Sequence, residues 1–312
     1  MKRSDSSPLA RPLVLFLCAL LCCTLWGSAI PVIKNSYQAY WGSGISSGDM
    51  VLFAGMRFSV AGLLVVLFGS IMERRPLIPR KTDLIGIAVI CLFQTFGQYF
   101  LYYIALFRTS GISTALINGT NSIFSILLAC LVFRLEKPTA SKALGCILGF
   151  AGVALSQFSR NGGWSFSLMG EGLMLLSCLC AALASVLIRI YSEKSSPVLL
   201  SGWQFFVGGL GLCLCGVLMG GKPGQMCSGM ILSLLYLSLV SAVAYTLWSC
   251  LLRRNPVSRV TIYGFLIPIS GVVLSAVFLR EYSSVTLRIL LSLALVSLGI
   301  YLVNGTDSRE AE

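Results

Sequence analysis

"MRFSVAGLLVVLFG" (residues 56–69) and "WQFFVGGLGLCLCG" (residues 203–216) match at one constant offset, sharing Phe58/Phe205, Val60/Val207, Gly62/Gly209, Leu63/Leu210, Leu67/Leu214 and Gly69/Gly216. Both are apolar runs of the kind that fills a bilayer, and their recurrence points to an internal repeat. The same order of features continues downstream at nearly the same offset. Arg108 pairs with Arg253, Ser113 with Ser258, Gly119 with Gly264, Ser125 with Ser270, and Glu136 with Glu281, and the dipeptide "VF" recurs at 132–133 and 277–278. The first copy also holds an oddity. Arg57 lies inside its apolar run, where a charge costs roughly 2.5–3.5 kcal/mol on insertion scales; its counterpart in the second copy is Gln204.

Composition sets the class. Of 312 residues, 56% are hydrophobic and only 11% charged, with a mean hydropathy of +0.88; soluble domains run near a quarter charged. Apolar segments fall at about 12–33, 49–70, 84–106, 111–133, 141–158, 169–190, 198–219, 229–251, 258–279 and 286–304. Each is close to the ~20 residues that a helix needs to cross a bilayer. With the N-terminus inside, sixteen of the 23 Lys and Arg lie on the cytoplasmic side and six outside, leaving Arg57 in the membrane. That bias predicts ten helices with both termini cytoplasmic. The basic N-terminus and the "WGSA" that follows also resemble a secretory signal. The first apolar stretch is longer than a signal's, however, and cleavage would leave the C-terminus against the charge bias.

The predicted fold is therefore an all-α polytopic membrane protein. A cytoplasmic tail (1–11) leads into a first five-helix repeat (12–158), an external linker (159–168), a second repeat (169–304) and a C-terminal tail (305–312). An odd number of helices per repeat inverts the second copy, an arrangement found in carriers whose substrate sits near the midplane.

Several chemistries are unsupported. The chain has no histidine, which removes His-ligated metal and haem sites and Ser-His or Cys-His pairs. Its twelve cysteines lie almost entirely in apolar segments and form no metal-binding spacing, so they read as small hydrophobes. No cofactor, catalytic residue or metal site is expected. The net charge of +12 is placed for membrane topology rather than nucleic acid. Expected partners are the lipid bilayer and a small-molecule substrate, in a monomer or homodimer.

Helical spacing gathers the polar side chains into stripes. Thr114, Asn118, Asn121, Ser122 and Ser125 share one face of the fourth segment. Gln94, Gln98 and Tyr102 recur every four residues in the third, and Ser241, Tyr245, Trp248 and Ser249 share a face in the eighth. Ser and Thr read first as interhelical hydrogen-bonding groups. The large amides cannot face lipid unpaired; Gln94, Gln98, Asn118 and Asn121 are expected to wall a cavity. Trp26, Tyr99, Tyr102, Trp203, Tyr245, Trp248 and Tyr263 are candidates to line the same space, with Arg57 and Gln204 as its charged and neutral counterparts. Trp41 and Trp164 read as interfacial anchors. Glycines at 145, 149 and 152, and at 208, 209 and 211, allow close helix approach. Arg57 has two open readings: a ligand-facing cation, or a lock on helix carbonyls and polar neighbours.

The passages "LWGSAIPVIK", "YYIALFRTSGISTALINGTNSIFSILLACLVFRLEKPTASKALGCILGFAGVAL" and "LREYSSVTLRILLSLALVSLGIYL" resemble the drug/metabolite transporter superfamily, most nearly its EamA-type members. The resemblance covers nearly the whole chain. It implies a ten-helix secondary transporter, commonly an exporter of amino acids, metabolites or drugs. A fourth-helix proline frequent in such proteins is absent near Asn121 to Phe124; its second-half counterpart survives as Pro268. Small multidrug exporters of this kind exchange protons through an intramembrane carboxylate. Here Asp49, Asp83, Glu171 and Glu193 all sit at segment ends, which leaves uniport, substrate exchange or a proton step at Glu171. The leading expectation is an exporter or exchanger of an amino acid-like metabolite. The alternatives are a non-transporting sensor or assembly protein, an intramembrane enzyme, or a multidrug exporter.

Overall fold

A computed structural model describes residues 8–106, 108–109, 111–157, 167–225, 227–270, 274 and 287–309. Among the described residues every regular element is helical, as the apolar segments predict. Helix α1 is Pro12–Tyr40, with a proline at its first turn where no amide hydrogen is missed. Helix α2, Ser47–Met72, opens on a capping box between Ser46 and Asp49. Helix α3, Lys81–Leu106, widens into a π-helical stretch at Cys91–Gln98. Helix α4 is Gly111–Leu127, extended by a π turn at Leu128–Val132. Helices α5, Ala140–Gln157, and α6, Leu168–Tyr191, follow. Helices α7, Pro197–Leu218, and α8, Ser228–Arg254, are continuous. Helix α9, Val257–Ser270, tightens into a 3₁₀ turn at Ile262–Phe265, and α10 is Leu287–Arg309.

Helices α1, α2, α3, α6, α7 and α8 are each long and apolar enough to cross a membrane; α4, α5, α9 and α10 carry shorter apolar stretches. Large apolar side chains remain outside the bundle, among them Leu63, Leu67, Phe68, Leu210, Leu214 and Val217. Such a surface suits lipid rather than water. The chain is a multi-pass membrane protein.

Three of the four carboxylates at the segment ends cap helix starts, while Glu193, beyond the end of α6, lies 3.9 Å from Arg189. Asp49 accepts from the Ser46 and Lys222 backbone amides, Asp83 from the Arg80 amide, and Glu171 from the Ser167 amide at 2.9 Å. Helix starts present unpaired N–H groups and positive dipole ends, so each carboxylate is held where it stabilises.

Helix α2 lies along α7, α5 along α10, α1 along α8 and α4 along α6. The α2–α7 seam is backbone against backbone. A methyl group at Gly62 would stand 2.3 Å from the Phe206 nitrogen, and one at Gly209 2.3 Å from the Ser59 nitrogen. Only residues without a side chain fit there. Between these crossings Phe58 stacks on Phe205, their ring centroids 5.2 Å apart.

Trp164, Arg160, Arg280, Glu281, the second "VF" at 277–278 and the linker up to residue 166 lie outside the described residues. So do residues 1–7 and 310–312 of the tails.

Candidate functional site

A cavity of about 180 Å³ opens between α1, α2, α3, α4, α6, α8 and α9. Ten of the residues singled out from the sequence line it. They are Trp26, Arg57, Gln94, Gln98, Tyr99, Tyr102, Asn118, Asn121, Tyr245 and Trp248.

The α3 contribution depends on its π stretch. Bonds to the fifth residue widen the turn, and this segment sets Gln94 and Gln98 on the cavity side, followed by Tyr99, Tyr102 and Tyr103. Helix α4 presents Asn118 and Asn121, while Ser122 ties it to α9 by donating to the Thr261 carbonyl at 2.7 Å. Opposite, α6 contributes Ser177, Cys178, Ala181 and Ser185. Ser177 donates to the Gln98 carbonyl at 2.8 Å. Thr261, Gly264, Ile267 and Pro268 form the α9 wall.

Aromatic rings frame one side. Trp26 meets Tyr245 edge-on at 4.9 Å and Trp248 at 5.1 Å, a geometry in which positive ring edges meet negative faces. Tyr99 shares a hydroxyl hydrogen bond with Tyr245 and packs against Phe58 at 4.2 Å. Arg57 is 4% exposed. Its Nε donates to the Leu237 carbonyl at 3.2 Å and to Ser241 Oγ at 2.9 Å, both on α8. Its Cζ lies 5.2 Å from the Phe58 ring centre, within cation–π reach.

Trp203, Gln204 and Tyr263 stand away from the cavity. Trp203 donates its indole N–H to the Leu77 carbonyl at 2.7 Å, fastening α7 to the loop after α2. Gln204 is fully buried one layer behind the wall. It accepts from Thr95 and donates to Gln94 Oε1 at 3.1 Å, so it orients an amide that does face the cavity. Tyr263 is buried beside α1, where Phe16 packs on its ring at 6.1 Å and Cys23 donates to its carbonyl. Spacing marks these positions as inward but does not say which neighbour covers them. Tyr103, Ser177, Cys178, Ser185 and Thr261 reach the cavity without having been singled out. Of these, Ser177 and Ser185 are spaced two turns apart on α6, a signal the sequence held.

Trp41, read as an interfacial anchor, donates its indole N–H to the Lys222 carbonyl at 3.0 Å, beside the start of α2. The Trp203 bond yields a direct expectation. Trp203→Phe keeps an aromatic ring but loses the indole hydrogen bond and the volume of the five-membered ring, so the unfolding free energy in detergent should fall by about 1–3 kcal/mol. Binding of any cavity ligand should be unchanged. A loss of binding larger than the loss of stability would place Trp203 in the site after all.

An all-helical, lipid-facing bundle surrounds a cavity of polar and aromatic side chains. Comparison with known proteins gives the family. The EamA-like transporter family matches over residues 13–158 and again over residues 168–305. The chain belongs to that family, and it is a membrane transporter. A WAT1-related chloroplastic protein of Arabidopsis thaliana is 29% identical over 87% of this chain and 68% of its own length. A probable amino-acid metabolite efflux pump of Salmonella typhimurium is 27% identical over 91% of this chain and 92% of its own. Its namesake in Escherichia coli is 25% identical over 94% and 96%. A protein of known crystal structure shares the fold, with TM-score 0.78 and 15% identity over 97% of this chain and 100% of the other.

Proposed function

We propose that the protein is a secondary transporter that exports or exchanges a small polar or amphipathic, amino acid-like metabolite by alternating access. Its ten helices cross the cell membrane as two inverted five-helix repeats with both termini in the cytoplasm. The cavity is the substrate site, with Gln94, Gln98, Asn118 and Asn121 supplying hydrogen bonds and Trp26, Tyr99, Tyr102, Tyr245 and Trp248 the apolar contact.

One observation carries this reading: the cavity wall is drawn from both halves of the chain, α1 to α4 on one side and α6, α8 and α9 on the other. A site shared in this way changes its access whenever the halves rock against each other. The reciprocal contacts of the seam support the inverted repeat. Gly62 meets Phe206 as Gly209 meets Ser59, and these pairs are counterparts in the repeat. The names of the Salmonella and Escherichia relatives support the substrate class.

The test is counterflow in proteoliposomes preloaded with single metabolites, scanning labelled amino acids, sugars and sugar phosphates. Trans-stimulated uptake of at least one amino acid-like solute is expected. Ala181→Trp should cut it at least tenfold by filling the cavity, on the order of an overpacked core. If no solute in the panel is exchanged, the transport reading of this cavity fails.

A further inference from the structure

Arg57 is held at its base and open at its tip. Its Nε is engaged by Leu237 and Ser241, which uses one of five guanidinium N–H donors. The two terminal nitrogens have no hydrogen-bond or ion-pair partner among the described residues. They are also not among the side-chain nitrogens and oxygens enclosed without a partner, and Arg57 is the cation in the cavity wall. The contacts to α8 and Phe58 hold the guanidinium in place, and no described residue takes up its hydrogen-bonding fork.

Two further polar atoms in the same wall are unpartnered. Among the described residues, Trp26 Nε1 is a buried donor without an acceptor, and Asn121 Oδ1 a buried acceptor without a donor. Native structures seldom leave such groups unmatched, so each asks for something that arrives from outside. Together they specify a negative group, an acceptor and an N–H on one small molecule, beside an aromatic surface. A carboxylate fits a guanidinium fork with two parallel hydrogen bonds. A phosphate monoester, with its second charge, would face only this one cation.

We propose that Arg57 is the carboxylate anchor of the cavity: the ligand is an amphipathic carboxylic acid whose anion pairs with the Arg57 fork, whose N–H reaches Asn121, and whose apolar part lies on Trp26 and Trp248. The proposal rests on the reading of this cavity as the transport site. It resolves the earlier choice for Arg57, because a helix lock would have used the tip as well as the base.

The experiment measures binding and counterflow separately on the purified full-length protein. The probes are L-leucine, L-phenylalanine, their carboxamides, and phosphoethanolamine, which has an amine and a phosphate but no carboxylate. Wild type should bind the acids at least roughly tenfold more tightly than the amides, because the amide leaves a charged partner unpaired. Phosphoethanolamine should not displace them. Arg57→Gln should erase the acid-over-amide ratio, and Arg57→Lys, a point charge without the fork, should keep part of it. An acid-to-amide ratio near one in wild type overturns the proposal, as does an unchanged ratio in Arg57→Gln, preference for phosphoethanolamine, or no binding of either acid. Should Arg57→Gln fail to fold, the wild-type ratio and its reduction in Arg57→Lys decide alone. Arg57-dependent acid binding without counterflow would sink the transport reading and leave the anchor standing. Counterflow indifferent to the carboxylate would do the reverse.

Discussion

Gly62→Ala and Gly209→Ala are each expected to lower the unfolding free energy by about 3 kcal/mol, the upper end of overpacking effects. The added methyl would lie 2.3 Å from a backbone nitrogen in both cases, that of Phe206 or that of Ser59. A side-chain neighbour can rotate away; a backbone neighbour inside a helix cannot, so α2 and α7 must separate. Separation costs the dispersion contacts along the seam, including the Phe58–Phe205 stack. Gly44→Ala is the control, since nothing stands within 4 Å of the new methyl. Thermal unfolding in detergent reads the result. Midpoints near wild type for Gly62→Ala and Gly209→Ala would mean that the seam is looser than the geometry shows.

Glu136→Ala should be comparably severe, for a different reason. Glu136 Oε2 pairs with Lys142 Nζ at 2.9 Å, with side chains 9% and 4% exposed. Its carboxylate also accepts from the Ser258 amide at 3.1 Å and from the Ser258 hydroxyl. One carboxylate thus neutralises a buried ammonium and caps the start of α9. Removing one partner of a buried pair costs about 3–5 kcal/mol, because the other charge is left in a poor solvent. Lys142→Met should cost a similar amount, and Glu136→Gln combined with Lys142→Met should cost less than the two single changes added together. Because α9 brings Thr261, Gly264, Ile267 and Pro268 to the cavity, ligand binding should weaken alongside stability in Glu136→Ala. Strict additivity in the double variant, measured by unfolding, would show that the two groups act independently.

Much of this was legible in the chain. The helical class followed from apolar segments whose lengths match a bilayer, and the cavity amides followed from the cost of pointing them at lipid. Gln94, Gln98, Asn118 and Asn121 all face the cavity as that argument requires. Spacing alone failed at Trp203 and Gln204. The inward face of helix α7 packs on α2, α3 and α8, so it meets protein rather than open space. Tyr263 failed for the same reason, with α1 against its ring. The π stretch of α3 carries no obvious marker in "CLFQTFGQ". The bond from Glu136 to the start of α9 joins residues far apart in sequence, and local patterns do not encode such distances.

The Phe58–Phe205 stack has a consequence for the neighbouring arginine. Under the proposed two-repeat reading these rings are counterparts, and a residue that touches its own counterpart sits on the symmetry axis. The positions just before the two rings diverge in what they meet: Arg57 reaches Leu237 and Ser241 on α8, whereas Gln204 reaches Thr95 and Gln94 on α3. Under that reading the seam shares its glycines and phenylalanines between the halves, while the polar position beside the axis carries a cation in one half and a neutral amide in the other.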